Sequence, residues 1–303
     1  MSNTIANQQN TIAEVIRRGL DRIAILPRRI LLETPCVNAS VPMLRGVWGA
    51  ALYELDRAVY ERVFEGKTAA AADGRPTDTP GYVVRPAPAD PDFAPAMEWI
   101  LIGDAILDDE VLLRAWYVAS GMGLGPDRRR FHLRQSAGLD AANRPGQTGA
   151  AWNLGQVVWP WERQATTPCR LRFDAPLRLR RQGSLIEAPT LVDIAVAATR
   201  RVAAFLPRRD RNDWRTLAER LHDIARRTPQ EPWQGDRLDL ARYSARQQRE
   251  LDLHGVCGSL VLPEGPGPLW PLLAAACWLH LGKGTVMGLG QLRVERFDSR
   301  ETS

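Results

Sequence analysis

Lysine is nearly absent from this chain: Lys67 and Lys283 are the only two among forty basic residues, and the rest are arginine. A GC-rich genome produces such a bias. So does a surface that grips phosphates, because a guanidinium fork meets phosphate oxygens bidentately and stacks on bases. Cysteine is scarce as well. Cys36, Cys169, Cys257 and Cys277 show no CxxC spacing, which excludes a zinc ribbon or a disulfide framework and suits the reducing cytoplasm. No run approaches the roughly 18 uninterrupted apolar residues of a membrane span. The opening MSNTIANQQN lacks the basic-then-apolar layout of a signal peptide, so a cytoplasmic chain without a membrane partner is expected. Histidine is limited to His132, His222, His254 and His280, with none earlier. Carboxylates crowd together at Asp108-Asp109-Glu110, a pattern that helix starts use to complement the dipole. Neither a metal nor a small-molecule cofactor is therefore expected.

What is present fits a globular protein of one large or two ordinary domains: 303 residues, 45% hydrophobic, with ten tryptophans to anchor a core. The net charge is +5. Basic runs at Arg128-Arg129-Arg130, Arg178–Arg181 and Arg226-Arg227 make a nucleic-acid footprint if they share a face.

Periodicity predicts a polar tail over residues 1–20 that leads into a short amphipathic segment. A strand over Ile23–Leu32 follows, then a helix over Val41–Arg62 with Leu44, Val47, Trp48, Ala51, Leu52 and Leu55 at helical spacing. Residues 66–95, rich in Ala, Asp, Gly and Pro, read as a long exposed insertion broken by a Tyr82-Val83-Val84 strand. Trp99–Leu107 alternates as a strand, Asp108 is placed as the cap of a helix over Asp109–Gly121, and Phe131–Arg134 resumes a strand. After a junction over 136–165 the order repeats. Strands are expected at 169–173, 177–179, 256–262 and 289–297, and helices at 190–205, 213–227 and 269–281. This order predicts an α+β chain of two tandem ferredoxin-like (RRM-like) domains, 1–160 and 161–303, the second carrying a C-terminal glycine-rich loop.

That loop is the most informative segment. In His280-Leu-Gly-Lys-Gly-Thr-Val-Met-Gly-Leu-Gly290 four glycines, Gly282, Gly284, Gly288 and Gly290, fall between an apolar helix and a closing strand. Glycine permits positive φ and close backbone approach, successive N–H groups form an anion-binding concavity, and Lys283 adds a cation. The segment is neither a Walker loop, since GxxxxGK[ST] is missing, nor a Rossmann fingerprint, since its helix precedes it.

HLGKGTVMGLGQLRV resembles the signature glycine loop of CRISPR-associated precursor-crRNA-processing endoribonucleases of the Cas-six type, in the RAMP superfamily. Arg242-Tyr-Ser-Ala-Arg-Gln247 followed by His254-Gly-Val-Cys-Gly258 is similar to that family's RYSxRQ…GxxG segment. Leu171-Arg-Phe-Asp-Ala-Pro-Leu-Arg-Leu179 ahead of Ala188-Pro-Thr190 resembles its TPLRL…PTF stretch, Leu44–Gly49 its LRGxxG, and Gly121–Leu133 its GxGRGRFxL.

The resemblance implies binding of a CRISPR repeat hairpin and metal-independent cleavage in which the RNA's own 2′-OH attacks the adjacent phosphate. It also implies partnership with other subunits of an effector complex. Such chemistry needs a base, a proton donor and cations for the phosphorane. The family commonly places a histidine near its first helix, and this chain has none there. The catalytic candidates are His132, flanked by arginines on a strand, or Arg45 and Tyr53, with Arg57, on the first helix. RNA-binding candidates are Arg128, Arg129, Arg130, Arg242, Tyr243, Arg246, Gln247, His280, Gly282, Lys283, Gly284, Gly288 and Gly290. A non-catalytic RNA-binding subunit that caps an effector complex is the rival reading.

Overall fold

A helix, α1 (Ser2–Leu20), opens the chain where a polar tail was expected. The structure, a computed structural model, describes residues 2–33, 40–66, 79–87, 94–125, 127–146, 149–160, 165–239, 241–244, 249–252 and 254–297. The chain forms two compact units, one of Ile23–Asn153 with Val286–Gly288 and one of Met1–Arg22, Leu154–Thr285 and Leu289–Ser303.

The first unit contains β1 (Ala24–Glu33), α2 (Val41–Leu55), β2 (Tyr82–Pro86), β3 (Ala94–Ile102), α3 (Asp109–Met122) and β4 (His132–Leu139). Its strands lie in the order β2-β3-β1-β4, every pair antiparallel. This is the ferredoxin-like order, with both helices crossing one face. Strand alternation sends Tyr82, Val84, Met97, Trp99 and Leu101 into a core with Trp48 of α2 and Trp116 of α3. Trp48 stacks at 5.0 Å on Trp99 and 5.3 Å on Trp116, and its indole N–H donates to the Leu112 carbonyl at 2.9 Å. On the opposite face the Glu98 carboxylate, 1% exposed, accepts from Arg29 at 2.6 Å and from Arg85 at 2.5 Å. Two guanidiniums around one carboxylate satisfy a charge that would be costly to bury alone.

Two local expectations change. The first helix stops at Leu55 instead of reaching Arg62, because Asp56 is extended and its carboxylate accepts the Val59 N–H at 3.0 Å. That starts a new turn, Arg57–Val59, which runs on as a π-turn over Tyr60–Phe64. Asp108 does not cap α3 with its side chain; its carboxylate takes two hydrogen bonds from Arg62, at 3.1 and 2.5 Å.

The second unit contains β5 (Cys169–Leu177), α4 (Leu191–Phe205), α5 (Arg211–Arg227), β6 (Gln234–Leu238), β7 (Gly255–Leu262), α6 (Trp270–Leu279) and β8 (Arg293–Arg296). Its order β6-β7-β5-β8 is again antiparallel and ferredoxin-like. A hairpin, Ala241–Ser244 with Arg249–Asp252, is inserted between β6 and β7. Thr190 and Asp193 form a reciprocal capping box at the start of α4.

The helix α1 packs in this second unit. Ala13, Ile16 and Leu20 are buried, the Arg17 Nε–H donates to the Gly155 carbonyl at 2.9 Å, and a side-chain carbon at Gly19 would lie 2.7 Å from the Trp214 ring. The expected division at about residue 160 therefore differs from the compact units at the N-terminus, where an apolar stripe binds the first helix to later sequence. Among the described residues no helix is long and apolar enough to cross a membrane.

Candidate nucleic-acid interface

In the first unit the connection from α3 to β4 is a tight, closed loop. Leu124 and Arg129 exchange backbone hydrogen bonds of 2.8 and 3.0 Å. Gly123 sits at φ 78°, where a side-chain carbon would lie 2.1 Å from the Arg128 carbonyl oxygen, so the turn needs glycine. Arg128 itself takes φ 46°. Arg128, Arg129 and Arg130 are all exposed, and Arg129 has only a loose pairing, 3.8 Å, with Asp127. Phe131 then enters the core and His132 faces solvent at the first position of β4. Three guanidiniums and one imidazole thus lie within five consecutive residues of one surface loop.

The helix candidates do not converge. Arg45 donates from Nε to the Tyr82 hydroxyl at 3.0 Å and lies 4.9 Å from the Phe64 ring centre. Burial pushes the Tyr82 phenol upward, and the Arg45 charge works against that rise. Tyr53 stands two turns further along α2, about 12 Å by helical rise. Its ring meets Tyr60 edge-on at 5.2 Å and carries the Arg57 guanidinium at 5.4 Å. A hydrogen bond to Glu61, 3.0 Å, raises the Arg57 pKa. Arg45 is accordingly engaged in the core, while Tyr53 and Arg57 form a separate exposed pair.

The glycine loop of the second unit is arranged differently from the expected anion cradle. Four of its N–H groups are already paired, two within the loop and two with the Pro176–Arg178 stretch. Leu281 donates to Gly290 O at 2.9 Å, Lys283 to Arg178 O at 3.2 Å, Leu289 to Gly284 O at 3.3 Å, and Gly290 to Pro176 O at 3.1 Å. Gly282, Gly284, Gly288 and Gly290 all adopt positive φ. At Gly290 the need is strictest, since a side-chain carbon would lie 1.8 Å from the Leu281 oxygen. His280, expected to support or touch RNA, is fully buried at φ 55°, with Nδ1 3.2 Å from the Leu289 carbonyl. It belongs to the closure, and a solvent-excluded ring cannot reach a ligand. Lys283 is exposed at the loop tip.

Arg242 and Tyr243 lie in the inserted hairpin, paired with Leu251 and Glu250; their side chains fall outside the described residues, as do Arg246 and Gln247 altogether. His222 is half-buried on α5 with Nε2 2.9 Å from Thr199 Oγ1. Burial, then Arg226 and Arg200, push its pKa down. Two arginines stand beside the glycine loop, Arg178 of the basic run noted in the sequence and Arg201, which the sequence did not single out. Arg178 forms a backbone bridge with Gly282, and Arg201 donates to Leu279 O and Thr285 Oγ1, both at 3.1 Å. The available signal for Arg178 was its place in the PLRL stretch.

Residues 171–292 match the sequence profile of the CRISPR-associated endoribonuclease Cas6. Comparison with curated protein sequences gives no match. Among solved structures, the chain is similar to the product complex of a Thermus thermophilus Cas6, with TM-score 0.54 and 15% identity over 89% of this chain and 100% of that one. A Cas6 substrate-mimic complex is similar at TM-score 0.51 and 17% identity, over 90% and 99% of the two chains. A partial Cas6-RT-Cas1–Cas2 complex matches at TM-score 0.54 and 12% identity, over 91% of this chain and 47% of that one. At these identities the structures establish the shared tandem fold.

Proposed function

We propose that this chain, a relative of the Cas6-type CRISPR endoribonucleases, binds the repeat hairpin of a precursor crRNA, cleaves it and retains the product. The observation that carries this reading is the Cas6 sequence pattern over residues 171–292, set in a chain whose two units both have the ferredoxin-like strand order. The matched structures include Cas6 bound to product and to a substrate mimic, and Cas6 joined to Cas1–Cas2. Repeat RNA and other CRISPR proteins are therefore the proposed partners, in the cytoplasm.

Cleavage needs no group beyond those of the chain. A base removes the 2′-OH proton, the 2′-oxygen bonds to phosphorus, the P–O5′ bond breaks, and an acid protonates the departing O5′. The products are a 2′,3′-cyclic phosphate and a 5′-hydroxyl. His132 is the group we assign to proton transfer: it is solvent-facing and directly follows Arg128–Arg130, whose guanidiniums suit the phosphorane charge. Labelled repeat RNA incubated with pure protein in EDTA tests the reading. A 5′-hydroxyl product supports it, and cleavage only with added magnesium overturns the mechanism. Binding without any cleavage would select the non-catalytic capping role, which the absence of histidine before residue 132 favours.

A further inference from the structure

The outer side of α3 carries a seam that its own unit leaves uncovered. Leu107, in the 3-10 turn Gly103–Asp108, is followed by Glu110, Arg114, Tyr117 and Gly121 of α3, spaced alternately three and four residues apart. That is the spacing of a helix–helix seam. All five are exposed, Leu107 at 87% and Tyr117 at 62%, and exposed Val118 widens the apolar part. The other side of the same helix, Leu112, Ala115, Trp116 and Ala119, is already buried in the first unit's core.

Single exposed apolar residues are ordinary. A leucine and a tyrosine left in water along one stripe are what a protein interface supplies. Among the described residues neither Glu110 nor Arg114 has an ion-pair partner. Gly121 gives a second indication. Its φ is not positive, and a side-chain carbon there would meet no atom within 4 Å. Nothing inside the chain calls for glycine at this place, where it costs up to about 1 kcal/mol against alanine. A backbone approaching from outside would call for it.

Charge decides the occupant. Leu107 and Tyr117 lie five residues either side of Leu112, and Glu110 and Arg114 lie two residues either side. A second α3, packed antiparallel about a two-fold axis level with Leu112, sets Leu107 on the copy's Tyr117 and Glu110 against the copy's Arg114, each pair twice. Gly121 then faces the copy's Gly103, where an added carbon likewise meets nothing within 4 Å. A parallel pair would instead set Glu110 on Glu110 and Arg114 on Arg114.

We infer that this face binds a second copy of the chain, α3 antiparallel on α3. The two Arg128–Arg130 loops then stand at opposite ends of the seam, each about 15 Å from the axis by helical rise, so pairing does not cover them. A single helix pair falls short of the roughly 1,600 Å² of a standard interface, so the dimer is reversible.

Sedimentation of the full-length chain without RNA, across a wide concentration range, tests this apart from the proposed function. Wild type should show a concentration-dependent monomer–dimer equilibrium. Tyr117→Glu should weaken it by about 10²-fold, since the anchor is lost from both halves of a symmetric seam. Glu110→Arg and Arg114→Glu should each weaken it about tenfold, because like charges then meet across the axis, and the double variant should restore it. Leu238→Glu, an exposed leucine of β6, is the control and should associate like wild type. Every changed side chain is exposed, and thermal melts check that each variant is folded. A chain that stays monomeric at all concentrations would overturn the inference, whatever other protein the face binds. So would a dimer untouched by Tyr117→Glu, or one that both single charge changes break and the double variant leaves broken.

Discussion

The loops that lead from the last helix into the fourth strand occupy the same topological position in the two units, yet they solve different problems. In the first unit the α3–β4 loop needs Gly123 for closure and then lays out Arg128, Arg129 and Arg130 on the surface. In the second the α6–β8 loop turns on four positive-φ glycines, bonds both to itself and to the Pro176–Arg178 stretch, and keeps one exposed cation, Lys283. The cores differ as well. Three stacked tryptophans with Phe64 and Tyr82 fill the first, whereas in the second α6 buries Leu272, Leu273 and Leu279 with alanines and Trp278, and Phe173 and Trp214 are buried separately. One strand order is thus reached with a clustered aromatic stack in one unit and a mainly aliphatic helix face in the other. Connectivity and alternation set the sheet, and the loops at equivalent positions are left to diverge in chemistry.

The sharpest way to break this comparison is at the cores. Trp48→Ala removes a fully buried indole that stacks on two others, and should cost about 3–5 kcal/mol in denaturant unfolding. Leu273→Ala, equally buried in the second unit, should cost about 2–5 kcal/mol. A negligible Trp48→Ala effect would mean that the aromatic stack is not the first unit's core.

The loops come next. His132→Ala should lower single-turnover cleavage by about 10²–10⁴-fold with repeat-RNA affinity nearly unchanged. A near-wild-type rate would move the chemistry to the Tyr53–Arg57 pair. Gly290→Ala should then destabilise the chain by about 2 kcal/mol or more and weaken RNA binding, because the new methyl meets the Leu281 carbonyl. Gly146→Ala, where no atom lies within 4 Å of the added carbon, is the contrast and should be nearly silent in the same melts.

The smallest effect expected is a pH dependence. His222 has its pKa lowered in the folded chain, by burial first and by Arg226 and Arg200 next. The unfolded chain, with an ordinary histidine pKa of about 6.5, therefore binds the proton more readily. Stability from this group is complete above that pH and is lost as pH falls through it toward the lower folded value. Urea unfolding of wild type and His222→Gln between neutral and mildly acidic pH should show the wild type losing more stability on acidification. Parallel pH profiles would remove His222 as the cause.

Periodicity alone carried much of the architecture. The helix over 191–205 and the strands at β1, β5 and β7 follow from apolar spacing, and the glycine cluster marks a closed turn whatever it binds. Fine placement was not legible, because it depends on partners distant in sequence. Asp108 looks like a helix cap until Arg62 is brought beside it, and His280 looks like an RNA contact until its buried Nδ1 is found 3.2 Å from the Leu289 carbonyl.

What the sequence by itself determined is the repeated β/α order, the tandem α+β class and the need for glycine between α6 and β8. These are encoded in local patterns of two to four residues and in positive-φ geometry. Tertiary structure alone decided that α1 packs with the second unit, that Arg45 is tied to Tyr82, and that Arg178 meets Gly255 and Gly282 at one point. Those pairings join residues tens to more than a hundred positions apart, and a hydrogen bond or a close contact between them exists only after the sheets have brought them together.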